Sequence, residues 1–198
     1  MTRSALCALL VLLLVFSAGV STAENIELYF SPNGGAAAAV AAEIEKATKS
    51  IRVQAYAISE DQITRALIAA QQRGISVGLI VDPHQRSDAY SSAAKIKKAG
   101  VNTVVDRFHA LQHNKSMVID DSIVVTGSMN FTAAGDAKNA ENTLIIRDAI
   151  IAARYAKDWE LHRSHSITFT PIHSRDYTPP PTPPNLILFP KPAHNKEP

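Results

Sequence analysis

Cysteine is almost missing from this chain: the one example among 198 residues is Cys7. It lies in an apolar N-terminal stretch. The remainder has no thiol to act as a nucleophile, form a disulfide or build a cysteine-based metal site. A strong charge imbalance is also missing. Twenty basic residues stand against 18 acidic ones, for a net charge of +2. A polyanionic substrate would therefore be met by a local positive group and not by a global field. No internal repeat is visible. The longest apolar run, Ala5–Val20, is about 16 residues, short of the roughly 20 that a membrane span needs. Arg3 precedes that run, and Ser21-Thr22-Ala23 places small residues before Glu24. This is the layout of a secretory signal peptide over residues 1–23. Cleavage predicts a periplasmic or secreted protein with no stable membrane association. Retention as an anchor is the alternative.

What is present alternates. Asn25–Phe30 reads as a strand, Gly35–Lys49 as an alanine-rich helix and Ser50–Ile58 as an apolar strand. Ser59 is the expected N-cap of the next helix, with Gln62 completing a capping box. Ile63, Ala66, Leu67 and Ala70 form its apolar stripe, and Gly74 ends it. Ile75–Asp82 is nearly all apolar, as in a strand buried on both faces. A short helix over Ser91–Lys98 ends at Gly100, and Val101–Val105 is another strand. Residues 115–120 and 123–128 are β-rich and flank Asp121-Ser122, which reads as a hairpin turn. Thr143–Arg147 is a further strand. Ala149–His162 is a final helix with Ile151, Tyr155 and Trp159 on one face. The fold class is α/β: a mixed sheet flanked by helices on both faces, parallel first and antiparallel at the hairpin.

The character changes at about Ser166. Nine of eleven prolines lie in 171–198. The expected domain is 24–165, followed by a Pro-rich tail over 166–198, extended or disordered and dispensable for chemistry. Docking of Leu186–Phe189 onto the domain or a partner is the alternative for the tail.

Residues 113–130 carry the chemistry. They read H-N-K-S-M-V-I-D-D-S-I-V-V-T-G-S-M-N. His113 and Lys115 are two apart on an extended segment, so they share a face. An imidazole can attack phosphorus, an ammonium can neutralise phosphate charge, and the Ser128 hydroxyl and Asn130 amide can donate to oxygens. This pattern resembles the phospholipase D superfamily, whose signature is H-x-K-x4-D-x6-G-S-x-N. His113, Lys115, Asp120, Gly127, Ser128 and Asn130 match every position. The likeness extends from about Ile26 to Trp159, including S-I-R-V-Q-A-Y-A-I before the motif and N-A-E-N at 139–142. It is strongest to small bacterial periplasmic endonucleases that carry one motif per chain.

The resemblance implies a phospholipase D-like α/β/α sandwich. It implies catalysis by His113, Lys115, Asp120 and Glu141, and phosphate binding by Lys115, Ser128 and Asn130. Glu141 is expected to orient His113, because a nucleophilic imidazole needs its second nitrogen held by an acceptor. Asp120, at a turn, reads as a structural or supporting member of the set. Asn130 could instead cap the turn after it. His84 and His109 flank strand ends and are expected to face solvent; the alternative is that they line the mouth of the site, with Asp82-Pro83-His84 contributing a loop. His162, His165, His173 and His194 are too scattered to suggest a ligand set, so no metal and no cofactor are expected. One full motif per chain implies a homodimer with a shared active site. The expected activity is a metal-independent phosphodiesterase, a non-specific endonuclease on DNA or RNA acting through a phosphohistidine. Hydrolysis of phospholipid head groups is the second reading, and a non-catalytic nucleic-acid binder the third.

Overall fold

The computed structural model describes residues 25–179. The expected signal segment 1–23 and the tail from 180 onward lie outside the described residues.

One eight-stranded mixed sheet forms the middle layer, in the order β1-β7-β6-β5-β2-β3-β4-β8. Three strands are mutually parallel: β2 (Ser50–Ala55), β3 (Ser76–Val81) and β4 (Asn102–Val105). β5 (Lys115–Ile119), β6 (Ile123–Gly127) and β7 (Glu141–Arg147) continue the sheet antiparallel from β2. β1 (Ile26–Ser31) pairs with β7. Helices α1 (Ala36–Lys46), α2 (Asp61–Gln72) and α3 (Ala93–Lys98) pack into one core with Ile51, Val53, Leu79 and Met117. A five-residue helix, α4 (Ala133–Ala137), follows the hairpin. Helix α5 (Ala149–Ser164) covers the other face, where Ala152 meets Val118 and Val124, and Trp159 meets Ile80 and Val104. The period-2 alternation of β5 explains the division: Met117 and Ile119 face one helical layer, Val118 the other. Gly78 makes room for α5. A Cβ there would lie 2.6 Å from the Trp159 ring.

Several boundaries differ from the sequence reading. Glu60, not Ser59, caps α2, its carboxylate accepting from the Gln62 amide at 3.0 Å. The hairpin turn centres one residue early. Asp120 and Asp121 both have left-handed backbones (φ 51 and 56), and Ser122 N donates to Ile119 O at 3.1 Å. That is the two-residue turn whose twist suits a hairpin. β7 starts at Glu141 instead of Thr143, because Glu141 and Asn142 pair with Ser31 and Phe30 of β1. The body of the domain does not stop at 165. Ile167–Thr168 form β8 on the edge of β4, and Phe169 is buried in the core at 1% exposure.

The far side of the sheet is held by an ion cluster. Arg147 donates to both oxygens of the buried Glu43, at 2.7 and 3.2 Å, and also to Glu27. Glu27 in turn accepts from the Tyr29 hydroxyl at 2.6 Å.

Candidate active site

The site forms where β2 and β5 end side by side. Ala55 pairs with Lys115, and just past these residues Tyr56 N donates to Asn114 O at 3.0 Å. His113 is exposed there. Its ring packs against Tyr56 at 4.4 Å between centroids, and Tyr56 also meets His84 at 4.6 Å. The Lys115 ammonium lies 3.0 Å from Nδ1 and 3.3 Å from Nε2 of His113 and donates to the His113 carbonyl at 2.7 Å. It also sits 5.1 Å from the centre of the Tyr56 ring. Partial burial lowers the Lys115 pKa from its ordinary value, and the nearby Glu141 charge opposes that shift.

Ser128 and Glu141 form the adjoining wall. Ser128 Oγ donates to Glu141 at 2.5 Å and accepts from Asn142 N at 3.1 Å. Asn139 donates to the other Glu141 oxygen at 3.1 Å. Gly127 permits this approach, because a Cβ on it would lie 2.2 Å from the Asn142 carbonyl. Glu141 therefore joins the site, but through Ser128, Asn139 and the charge of Lys115. Among the described residues its hydrogen bonds do not include one to His113, the partner expected for it. Asn130 is not the local cap: Thr132 caps α4, accepting from Gly135 N at 3.0 Å. The Asn130 Oδ1 is buried with no hydrogen-bond partner among the described residues.

Asp120 does not belong with these groups. It sits at the opposite end of β5 from Lys115, roughly 17 Å away along a five-residue strand. Its carboxylate accepts from Thr48 N (2.7 Å), Thr48 Oγ1 (2.8 Å), Lys49 N (2.8 Å) and Ser50 N (3.0 Å). Burial alone would raise its pKa. The backbone donors of Ser50, Thr48 and Lys49 outweigh burial and hold it below the usual carboxylate value. Asp120 ties the hairpin to the α1–β2 turn, which fits the supporting role read from its position at a turn and not the catalytic role that the resemblance implies.

Tyr56 received no role in the sequence reading, and His84 was weighed as a lining residue but expected in solvent. Both follow the carboxyl ends of parallel strands, the place where ligand sites form in such sheets, which is the signal that could have found Tyr56. Asp82 fixes this wall. Its carboxylate accepts from Gln112 N at 2.8 Å and lies 2.7 Å from His84 Nδ1.

Three of the other histidines, scattered along the sequence, meet in the fold. His109, His162 and His165 converge on Asp106, with all four donor atoms within 4.8 Å of one another.

Sheet and site together define a class of phosphate-ester hydrolase built on an α/β/α sandwich. Comparison with known proteins gives the same result. The family model described as "Cardiolipin synthase, PLD-like domain" matches residues 40–162. "Phospholipase D" of Rickettsia conorii is 40% identical over 136 residues, covering 69% of this chain and 68% of that protein. Among solved structures, Nuc of Salmonella typhimurium superposes with a TM-score of 0.70 at 31% identity, over 73% of this chain and 97% of that one. NucT of Helicobacter pylori shares the fold, with a TM-score of 0.69 at 20% identity over 73% and 98% of the two chains. The chain belongs to the phospholipase D superfamily.

Proposed function

We propose that the protein is a metal-independent phosphodiesterase that cleaves nucleic acid through a phosphohistidine, with two chains each supplying His113 to one active site. The pairing of His113 with Lys115 at an exposed strand end, one full motif per chain, carries this reading. The neutral His113 imidazole attacks phosphorus. An N–P bond forms, the P–O ester bond breaks, and the leaving oxygen takes a proton from His113 of the partner subunit. Water then attacks phosphorus, passes its proton to that same partner imidazole, and the N–P bond breaks. Lys115 from each chain neutralises the non-bridging oxygens, in the role a metal ion fills elsewhere. Ser128 exchanges Glu141 for a phosphate oxygen, and Asn130 donates to another. Glu141 supports Lys115 electrostatically.

Nucleic acid is favoured by the likeness to Nuc over 97% of that chain. A site that reads only phosphate has little sequence preference. Phospholipid is the second reading, favoured by the name of the rickettsial relatives. The intact motif counts against a non-catalytic binder. The catalytic domain begins at residue 24, after a cleaved signal that delivers it to the periplasm or exterior. Among the described residues, no helix is long and apolar enough to cross a membrane. A further His-x-Lys triplet, His194-Asn195-Lys196, lies outside the described residues and lacks the rest of the motif. It has no part in this mechanism.

The deciding experiment incubates the mature chain with plasmid DNA, RNA and phosphatidylcholine vesicles in EDTA. Cleavage of a nucleic acid is expected. Cleavage of phosphatidylcholine alone would establish the phospholipid reading, and loss of all activity in EDTA, restored by Mg²⁺, would overturn metal independence.

A further inference from the structure

We propose that Asp106, His109, His162 and His165 bind one zinc-class transition-metal ion, which fastens the end of α5 to the loop that carries His113. The ligands come as two close pairs from two segments: Asp106 and His109 just after β4, His162 and His165 at the end of α5. Paired ligands at i, i+3 from two separate segments are the habit of structural metal sites.

The geometry is convergent. Asp106 Oδ2 lies 2.8 Å from His109 Nδ1, 2.7 Å from His162 Nδ1 and 3.4 Å from His165 Nε2. Tetrahedral zinc, with bonds of roughly 2.0–2.2 Å, sets its ligand atoms about 3.3–3.5 Å apart. Opening the two short contacts by about 0.6 Å and drawing in the wider pairs, which lie within 4.8 Å, by up to about 1.4 Å would admit the ion. Asp106 is fully buried and His162 nearly so. Hydrogen bonding alone leaves the set incomplete. His165 Nε2 is buried, points at the carboxylate and has no hydrogen-bond partner among the described residues.

The surroundings fit as well. Phe108 covers the cluster, 4.8 Å from the His165 ring and 5.2 Å from the His109 ring. Asp158 Oδ1 lies 3.7 Å from His162 Nε2, a small movement from the carboxylate–imidazole hydrogen bond that steadies metal sites. Asp158 is itself held by Gln54 at 3.0 Å.

The donor set selects the ion. Three imidazoles with one carboxylate suit zinc, cobalt, nickel or copper; magnesium and calcium favour all-oxygen sets. Four protein ligands make a closed, structural site with no position for substrate. Its effect on chemistry is indirect. Gln112 Nε2 lies 3.3 Å from His162 Nδ1, and Gln112 Oε1 accepts from Asn114 N at 3.0 Å, next to His113.

The test uses untagged mature chain, stripped with chelator and dialysed. Titration with ZnCl₂ followed by calorimetry and elemental analysis should give one ion per chain. Co²⁺ should give the intense visible absorption of a tetrahedral site, and the thermal midpoint should rise with free Zn²⁺. His113→Ala should keep all three signals, which excludes the motif histidine as the ligand. The double variant His109→Ala/His165→Ala should lose them, with affinity falling by more than the roughly 10–100-fold that a lost outer partner costs. The wild-type Co²⁺ spectrum decides the matter if that variant does not fold. An octahedral spectrum, or wild-type binding no tighter than the double variant's, would overturn the proposal and leave a hydrogen-bonded cluster only.

Discussion

Asp120 is the motif position at which likeness and geometry part company, and replacing it separates them. Four donors converge on its carboxylate from Thr48, Lys49 and Ser50. Removing a capping carboxylate of this kind costs about 0.5–2 kcal/mol for one donor at a helix end. Four donors that partly turn to water should cost about 2–3 kcal/mol together. Asp120 also has φ 51, where alanine pays about 1–2 kcal/mol more. Asp120→Ala should therefore lose about 3–5 kcal/mol. Asp120→Gly, free of the backbone penalty, should lose about 1 kcal/mol less than Ala. A domain of this size has roughly 5–15 kcal/mol in hand, so most of the variant stays folded. Urea melts of the three proteins measure the losses. The pH dependence has a definite sign. The folded pKa lies below the unfolded value of about 3.9, so the stabilisation is complete above that value and disappears as pH falls through the folded one. The gap between wild type and Asp120→Asn should be flat from pH 5 to 8 and should narrow below about pH 4. Turnover per folded molecule should stay within about threefold, since Lys115 is roughly 17 Å away. A stable Asp120→Asn protein with turnover reduced by 10³ or more would refute this reasoning and return Asp120 to the chemistry.

Other perturbations test the remaining structure. His113→Ala should lower turnover by at least roughly 10³-fold without unfolding the domain. In half-and-half mixtures with wild type under subunit exchange, about a quarter of the activity should remain if two histidines are required; a fall to one half would exclude the shared site, and His194→Ala should change nothing. Arg147→Met should cost about 3–5 kcal/mol in a denaturant melt, because it leaves the Glu43 carboxylate buried without its bidentate partner; a loss under about 1 kcal/mol would show that water reaches Glu43. Truncation after residue 179 should leave the melt unchanged, whereas truncation after Ser166 removes buried Phe169 and should cost about 3–5 kcal/mol; equal stability of the two would mean that β8 and Phe169 add nothing.

The chain's local pattern was enough to find what depends on neighbours along the backbone. A β-rich run beside turn-forming residues located β5, and the offset of two between His113 and Lys115 put them on one face. These readings hold because strand pleat and helix pitch are set by sterics within a few residues. Two of the misplaced boundaries were fixed by a distant strand: Glu141 against Ser31 and Ile167 against Val105. Roles depended on tertiary contact even more strongly. Nothing near Asp120 in the chain announces that its donors lie some 70 residues upstream. Nothing near Tyr56 places it between His84 and His113, and Asp106 meets His162 only because α5 packs back across the sheet. A side chain's type limits the chemistry it can perform. Which partner it meets is decided by the packing of the layers, since burial brings together groups that the chain keeps far apart and leaves each polar one needing a mate.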